Sequence, residues 1–289
     1  MLESITTIGV IGAGTMGSGI AQVAAQAGYT VRLYDIADDV LQRAVERILH
    51  FVNRAAQKGR LDPELARTVP ERLHPTTDLH AFADCQVVIE AAPERLDLKQ
   101  RLFADLESIV APDAILATNT STLSVTQIAA ATQTPHRVAG MHFFNPAPLM
   151  RLVEIVAGAQ TAPHVCETLA ALAERMGKTP VHAKDVPGFI VNRVARPFYL
   201  EGLRLLETGV ADHATIDRLI REGGGFKMGP FELMDLIGLD INFAASQSVY
   251  NAYFGEPRYR PSLLQQRMVE SGRLGRKTGR GWYDYEEDA

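Results

Sequence analysis

The fold is decided by the stretch Ile8-Gly9-Val10-Ile11-Gly12-Ala13-Gly14-Thr15-Met16-Gly17. Residues 8–11 are an apolar run that predicts a buried parallel strand, and residues 16–27, rich in small side chains, predict a helix that Gly28 ends. The turn between them fits G-x-G-x-x-G, whose glycines allow a tight turn, close approach of a pyrophosphate and close packing of helix on strand. The predicted nucleotide-binding residues of this loop are Gly12, Ala13, Gly14, Thr15, Met16 and Gly17.

A second predicted strand, residues 30–35, indicates which dinucleotide is bound. It ends at Asp35, about 20 residues beyond the loop, where a carboxylate commonly accepts hydrogen bonds from the adenosine ribose. A carboxylate there repels a 2′-phosphate, and strand alternation turns Arg32 away from the face of Asp35. The pattern therefore predicts NAD as the cofactor in preference to NADP. The alternative is a glycine turn that serves packing alone.

Farther along the chain, strand and helix patterns alternate. Apolar residues at helical spacing predict a long helix that ends near Lys58 and projects as an arm. Strands are predicted at 87–91 and 115–118, with a charged helix at 96–110 between them, as in a parallel sheet covered on both faces. We predict an α/β fold, a doubly wound Rossmann-type domain over residues 1–184.

The pattern changes at a polar segment that contains proline and glycine, residues 184–188. Beyond it only helices are predicted, so residues 185–289 form a smaller all-α domain for substrate binding and dimerisation. The predicted helices are 189–207, 212–221, one with Pro230 in its first turn, 242–253 and 262–271. The Gly-rich, basic tail at 274–283 is predicted to be non-helical.

Composition limits the function classes. The chain has 289 residues, 46% hydrophobic and 22% charged, which is typical of a globular protein. Its net charge of −5 gives no field that favours nucleic acid or an anionic membrane, and no stretch is apolar enough to cross one. Cys85 and Cys166 are expected to be free thiols, no metal site is expected, and the absence of a basic leader favours the cytoplasm.

Three strand-like runs carry the polar residues of a predicted active site. Residues 141–146 place His142 at the end of an apolar run, residues 115–121 end in Ser121, and residues 152–156 hold Glu154 in mid-run. Ligands of open α/β sheets lie beyond the carboxyl ends of the strands, so His142 and Ser121 could face one substrate. A carboxylate buried in mid-strand needs a partner, and a histidine is the natural one.

These features, in this order, resemble the 3-hydroxyacyl-CoA dehydrogenase family in its short form, which includes bacterial 3-hydroxybutyryl-CoA dehydrogenases. The resemblance covers nearly the whole chain. It rests on the glycine loop and on the segments 119–121, 142–146, 187–193, 228–233 and 277–279. It implies NAD-dependent interconversion of (S)-3-hydroxyacyl-CoA and 3-oxoacyl-CoA, an acyl-CoA thioester substrate, and a homodimer formed through the helical domain.

The resemblance also implies roles for individual residues. His142 corresponds to the family's acid–base histidine and Glu154 to the glutamate that supports it, while Ser121 and Asn192 match its remaining catalytic and substrate-binding positions. Lys58 matches a position near the coenzyme A moiety. The further cofactor contacts that it implies are Glu94, Lys99, Asn119, Ser121, Asn145 and Lys277.

Each of these roles has a structural alternative. Ser121 could cap a helix, Glu154 could belong to a buried ion pair unrelated to catalysis, and Asn192 could be a helix-surface amide. Lys58 could be a solvated lysine at a helix end. For the whole protein, the rivals are an oxidoreductase acting on a free hydroxy acid or a carrier-protein thioester, and a NAD-binding protein without turnover.

Overall fold

The computed structural model describes residues 2–285 and divides between Val186 and Pro187 into two compact units. The first unit contains the strands β1 (Thr7–Ile11), β2 (Thr30–Tyr34), β3 (Leu73–Thr76), β4 (Val87–Glu90), β5 (Ile115–Thr118), β6 (Val138–Phe143), β7 (Leu152–Ala157) and β8 (Thr179–Lys184). Its helices are α1 (Thr15–Gln26), α2 (Asp38–Gln57), α3 (Pro63–Arg72), α4 (Leu96–Ile109), α5 (Val125–Ala129) and α6 (Pro163–Arg175). Short 3₁₀ turns lie at Leu2–Ser4, Leu79–Asp84 and Pro135–Arg137.

All eight strands form one sheet in the order β3-β2-β1-β4-β5-β6-β7-β8. Every residue of β1, β4 and β5 is buried, as expected for strands covered by helices on both faces. The carboxyl ends of β1, β4, β5 and β6 therefore lie along one edge of the sheet, because these strands are mutually parallel. That edge carries the glycine loop, Asn119 and the end of β6.

One strand pair departs from the parallel pattern. β6 and β7 are antiparallel, and residues 144–151 join them without a helix. A parallel crossover needs a dozen or more residues, so this short connection can only reverse the chain. The reversal places His142 directly opposite Glu154 in the register of the two strands.

The second unit contains α7 (Val191–Glu207), α8 (His213–Glu222), α9 (Pro230–Ile237), α10 (Leu239–Ala252) and α11 (Leu263–Glu270). The predicted starts are close to those observed: Asp212 and Ser262 are N-caps whose side chains accept backbone N–H groups, and Pro230 opens α9. The tail differs from the prediction, because Arg276–Thr278 forms a 3₁₀ turn.

Two buried aspartates hold that tail. Asp235 on α9 accepts hydrogen bonds from the backbone N–H groups of Trp282 and Tyr283, each at 3.0 Å, and from the Tyr285 hydroxyl at 2.9 Å. Asp217 on α8 accepts the Tyr283 hydroxyl at 2.8 Å, and burial raises the pKa of its carboxyl. The last described turn is thus fixed by carboxylates at the core of the helical unit.

The division between the units falls slightly beyond the predicted limit at residue 184. Asp185 belongs with the first unit, because its carboxylate accepts hydrogen bonds from the Ser124 hydroxyl and from the N–H groups of Val125 and Thr126. These donors form the N-terminus of α5. Between residues 2 and 285 the chain contains no helix both long and apolar enough to cross a membrane.

Candidate active site

The three glycines of the loop after β1 have three different environments. Gly12 has φ +92°, and a Cβ there would lie 2.6 Å from the carbonyl oxygen of Ala91, so the turn requires glycine. A Cβ on Gly17 would lie 1.6 Å from the carbonyl oxygen of Gly12, which reflects the tight contact of α1 with the turn. Gly14 has nothing within 4 Å of its Cβ position. The backbone is therefore open at Gly14, where a pyrophosphate would approach.

The N-terminus of α1 is suited to bind that phosphate. Gly14 is its N-cap, no side chain caps it, and its first turn has no acidic residue. Its first N–H groups and the helix dipole favour an anion.

Arg47 of α2, which sequence reasoning missed, stabilises the glycine loop. Its Nη2 donates to the Ala13 carbonyl oxygen at 3.2 Å and to Ser18 Oγ at 3.0 Å.

Asp35 follows β2 and lies against the same loop. Its Oδ2 accepts the N–H of Ala13 at 2.8 Å, and its Oδ1 accepts the N–H of Ile36 at 2.8 Å. Each carboxylate oxygen keeps a further lone pair for a ribose hydroxyl. Arg32 is held elsewhere, with its Nη2 2.7 Å from Asp84 Oδ2. The loop therefore offers a carboxylate where NADP would require a cation.

His142 and Glu154 form a cross-strand pair in the sheet. His142 Nδ1 lies 2.7 Å from Glu154 Oε2, and the two residues are 5% and 1% exposed. This is the partner that the mid-strand carboxylate was predicted to need. Contact with the carboxylate favours the tautomer that carries its proton on Nδ1.

Asn119 joins the end of β5 to the end of β6. Its backbone N–H donates to the Glu90 carbonyl oxygen at 2.7 Å, and its side-chain Oδ1 accepts the N–H of Phe143 at 2.8 Å. The residue next to His142 is therefore fixed by an amide at the neighbouring strand end. Asn145 is exposed in the loop that follows β6.

Ser121 does not cap a helix, because Ser124 is the N-cap of α5 and accepts the N–H of Gln127. The segment that contains Ser121 is instead bound by Glu94. Glu94 Oε1 accepts the Thr120 hydroxyl at 2.6 Å and the N–H groups of Ser121 at 3.0 Å and Thr122 at 3.2 Å. This carboxylate sets the position of the loop beyond β5.

Lys99 and Glu90 stand behind Glu94. The buried Lys99 ammonium is 2.6 Å from Glu90 Oε1, 3.2 Å from the Ala92 carbonyl oxygen and 3.4 Å from Glu94 Oε2. Burial tends to raise the pKa of Glu94, yet the Lys99 charge and the hydrogen bonds from the loop hold it below its ordinary value. Lys99 therefore acts on the loop through Glu94.

Sequence reasoning missed Glu90 and Thr118, the residues that complete this network. Glu90 is fully buried at the end of β4, and besides Lys99 it accepts the Ala92 N–H at 2.6 Å and the Thr118 hydroxyl at 2.7 Å. The position of Glu90 as the last residue of a buried strand could have indicated this network, because a buried carboxylate needs a cation or several hydrogen-bond donors.

Three predicted residues are distant in the sequence from the strand ends that carry this network. Lys58 is exposed at the C-terminal end of α2. Asn192 is half-buried in the first turn of α7. Lys277 forms an ion pair with Asp240, its Nζ being 2.6 Å from both carboxylate oxygens. Asn192 and Lys277 belong to the second unit, and the other predicted residues to the first.

Comparison with known proteins identifies the family. A family model described as "3-hydroxyacyl-CoA dehydrogenase, NAD binding domain" matches residues 7–186, and one described as "3-hydroxyacyl-CoA dehydrogenase, C-terminal domain" matches residues 188–285. The chain belongs to the 3-hydroxyacyl-CoA dehydrogenase family. The predicted family and fold class, and NAD as the cofactor, are thereby confirmed.

Individual proteins with such names resemble the chain over nearly its whole length. The 3-hydroxyadipyl-CoA dehydrogenase of Escherichia coli K12 is 52% identical over 285 residues, 99% of this chain, but the match spans only 60% of that protein. A probable 3-hydroxybutyryl-CoA dehydrogenase of Deinococcus radiodurans is 43% identical over 96% of this chain and 99% of its own. The crystal structure of (S)-3-hydroxybutyryl-CoA dehydrogenase from Ralstonia eutropha superposes with a TM-score of 0.93 at 40% identity, covering 98% and 100% of the two chains.

Proposed function

We propose that this protein interconverts (S)-3-hydroxyacyl-CoA and 3-oxoacyl-CoA with NAD. The observation that carries the proposal is the buried 2.7 Å contact between His142 Nδ1 and Glu154 Oε2, in the unit that also bears the open glycine loop. Similar proteins are named for 3-hydroxyadipyl-CoA and 3-hydroxybutyryl-CoA, which supports a coenzyme A thioester as the substrate.

The residues present fit the cofactor. The open backbone at Gly14 and the uncapped start of α1 would hold the pyrophosphate, and Asp35 would hold the adenosine ribose. Further contacts are proposed for Glu94, Asn119, Ser121, Asn145 and Lys277, with Lys99 acting behind Glu94. When bound there, NAD would supply the hydride acceptor for oxidation at C3 of the hydroxyacyl substrate.

His142 would move the proton that accompanies the hydride. With Nδ1–H donated to Glu154, the lone pair of the neutral imidazole lies on Nε2, which removes the proton from the C3 hydroxyl. Glu154 then stabilises the imidazolium, and in the reverse direction Nε2–H returns the proton to the oxygen of the 3-oxo group. Burial of the pair keeps the geometry fixed and strengthens its electrostatic attraction.

The remaining proposed residues bind the substrate. Ser121 and Asn192 would form hydrogen bonds with the reacting oxygen or the thioester carbonyl, and Lys58 would offer a charge to the coenzyme A phosphates.

The helical unit would pair with its copy in a homodimer, because two-fold dimers are the commonest way to cover an apolar helix face. We place the protein in the cytoplasm.

A substrate panel tests the proposal. Oxidation of NADH should be rapid with acetoacetyl-CoA and longer 3-oxoacyl-CoAs, and near background with free acetoacetate and with 3-oxoacyl groups on a carrier protein. Turnover of free acetoacetate or of the carrier thioester would favour the rival oxidoreductases. NADH binding without turnover of any substrate would identify a NAD-binding protein that lacks the activity.

A further inference from the structure

Arg196 on α7 is a buried cation without an anionic partner. It is 3% exposed, and no carboxylate between residues 2 and 285 forms an ion pair with it. Its Nη1 donates to the Asn242 carbonyl oxygen at 2.8 Å and to Ser246 Oγ at 3.1 Å, and its guanidinium lies 4.9 Å from the centroid of the Tyr199 ring. Its Nε is buried and finds no hydrogen-bond acceptor in the described part of the chain.

Two neighbours of Arg196 each have one buried polar atom without a hydrogen-bond partner among the described residues. Asn242 on α10 is 1% exposed, and its Nδ2 has no hydrogen-bond acceptor. Its Oδ1 accepts Gln265 Nε2 at 2.9 Å, while the Oε1 atom of the buried Gln265 has no donor. We call these residues the Arg196 cluster: Arg196, Asn242, Ser246 and Gln265. The cluster holds one positive charge and two N–H donors with nothing to accept them.

Such an arrangement is costly unless an anion completes it. Burial lowers the pKa of Arg196, but an arginine side chain stays charged in proteins. A buried charge with no counter-ion carries a large desolvation penalty, and each orphaned donor adds to it. A carboxylate would remove both costs, because its two oxygens match the planar fork of a guanidinium and can also accept an amide N–H.

The position of Arg196 on α7 indicates which carboxylate this is. Arg196 lies four residues after Asn192, on the same face of the helix and about 6 Å farther along its axis. Asn192 is the residue of this helix proposed to bind the reacting end of the substrate. A short acyl chain whose reacting end meets Asn192 could bridge the distance from there to the Arg196 cluster.

We propose that the Arg196 cluster binds the terminal carboxylate of a dicarboxylic acyl-CoA substrate, a 3-oxoacyl or 3-hydroxyacyl thioester with a carboxylate at its far end. Arg196 supplies the charge and Asn242 Nδ2 a second hydrogen bond. The inference rests on the proposed dehydrogenase function and specifies its substrate class. Arg196 is then a specificity-determining residue that takes no part in the proton transfer.

Two substrates of equal length provide the test: 3-oxoadipyl-CoA and 3-oxohexanoyl-CoA differ only in the terminal carboxylate. Wild-type kcat/KM should be higher for 3-oxoadipyl-CoA by about 10- to 100-fold, the usual value of a buried hydrogen bond to a charged group. Arg196→Met should abolish this preference, chiefly through KM for 3-oxoadipyl-CoA, and leave 3-oxohexanoyl-CoA nearly unchanged. Arg204→Met, at a half-exposed arginine of the same helix, should keep the wild-type ratio.

A second variant guards against misfolding. Asn242→Asp preserves the shape of the side chain and adds a negative charge to the Arg196 cluster, so it should lower kcat/KM for 3-oxoadipyl-CoA alone. Equal wild-type kcat/KM for the two substrates would overturn the inference and leave the proposed function standing. Turnover of neither substrate would overturn the proposed function itself. An Arg196→Met protein that loses its dimer in light scattering yet keeps the substrate ratio would assign the anion to a second copy, which also overturns the inference.

Discussion

The glycine loop after β1 and the His142–Glu154 pair are specified in different ways. Two glycines of the loop are required by nearby backbone atoms: Gly12 by the carbonyl oxygen of Ala91, just after β4, and Gly17 by that of Gly12 in the same turn. His142 and Glu154 lie on separate strands and meet only because β6 and β7 pair antiparallel in one register. The nucleotide site is therefore encoded by local backbone geometry, and the acid–base site by strand pairing.

The largest effect on activity should come from a change in the His142–Glu154 pair. His142→Gln should lower turnover by about two to four orders of magnitude, because it removes a positioned acid–base group. NADH affinity should stay nearly unchanged, since the glycine loop does not depend on the strand pair. Stopped-flow turnover and fluorescence titration of NADH would separate the two quantities. His164→Gln, on the exposed surface of α6, is the control, and an unchanged rate in His142→Gln would remove His142 from the mechanism.

The next largest effect should come from substitutions in the glycine loop, which change stability or NADH binding. Gly17→Ala should cost about 3 kcal/mol of unfolding free energy, because its Cβ would overlap the Gly12 carbonyl oxygen. Gly14→Ala should stay within about 0.5 kcal/mol of wild type, since its Cβ position is open and its φ of −66° suits any residue. It should instead weaken NADH binding by about tenfold. Urea unfolding and NADH titration measure both, and equal stability of the two variants would contradict the packing argument.

Cofactor choice should depend on one carboxylate. Asp35→Ala should weaken NADH binding by about tenfold and raise the NADPH to NADH affinity ratio, because the carboxylate both accepts the ribose hydroxyls and repels a phosphate. Titration with each cofactor gives the ratio. Asp39→Ala, an exposed aspartate in the first turn of α2, should leave that ratio unchanged. An unaltered ratio in the Asp35 variant would refute the ribose contact.

The smallest effect should be the acid sensitivity of the loop that contains Ser121. The pKa of Glu94 is lowered in the folded protein, so its ionised form stabilises the fold above the ordinary value of 4.5, and this stability is lost as pH falls through the lowered pKa. Its magnitude should be below about 1 kcal/mol, because the side chain is partly exposed to solvent. Urea unfolding of wild type and Glu94→Gln between pH 6 and pH 3 should show the difference shrinking with acid. A difference that stayed constant would rule out the ionised form as its source.

Most of the nucleotide site could be predicted from the sequence, because a glycine pattern and strand alternation act over short distances. The buried partner of Glu154 was predicted too, on the physical ground that a mid-strand carboxylate needs one. The direction of β7 could not be predicted in the same way, since periodicity gives a strand but not its neighbour. The sequence also did not reveal that Lys99 contacts both Glu90 and Glu94. These contacts depend on how α4 packs against the end of β4 and the loop that follows it, and sequence periodicity does not give that packing.

Three of the elements that the sequence analysis missed, β3, β8 and α3, share a cause. β3 contains Pro75 and lies at the sheet edge, where a proline is tolerated, and β8 is a largely exposed edge strand with no apolar alternation. α3 has Pro63 in its first turn and Pro70 within it. Proline and polar residues obscure the periodic signals on which such predictions depend. The central strands β1, β4 and β5 are buried on both faces, so their sequences are largely apolar runs that are easily recognised.

The two aspartates that hold the tail also set the order in which the helical unit can be completed during synthesis. Asp217 and Asp235 leave the ribosome well before Trp282, Tyr283 and Tyr285, the residues that supply many of their donors. Until those residues emerge, Asp217 keeps only the N–H groups of Phe231 and Glu232, and water must replace the tail donors of Asp235. We therefore expect a chain that ends before Trp282 to leave Asp235 hydrated and the helical unit more readily cleaved by proteases.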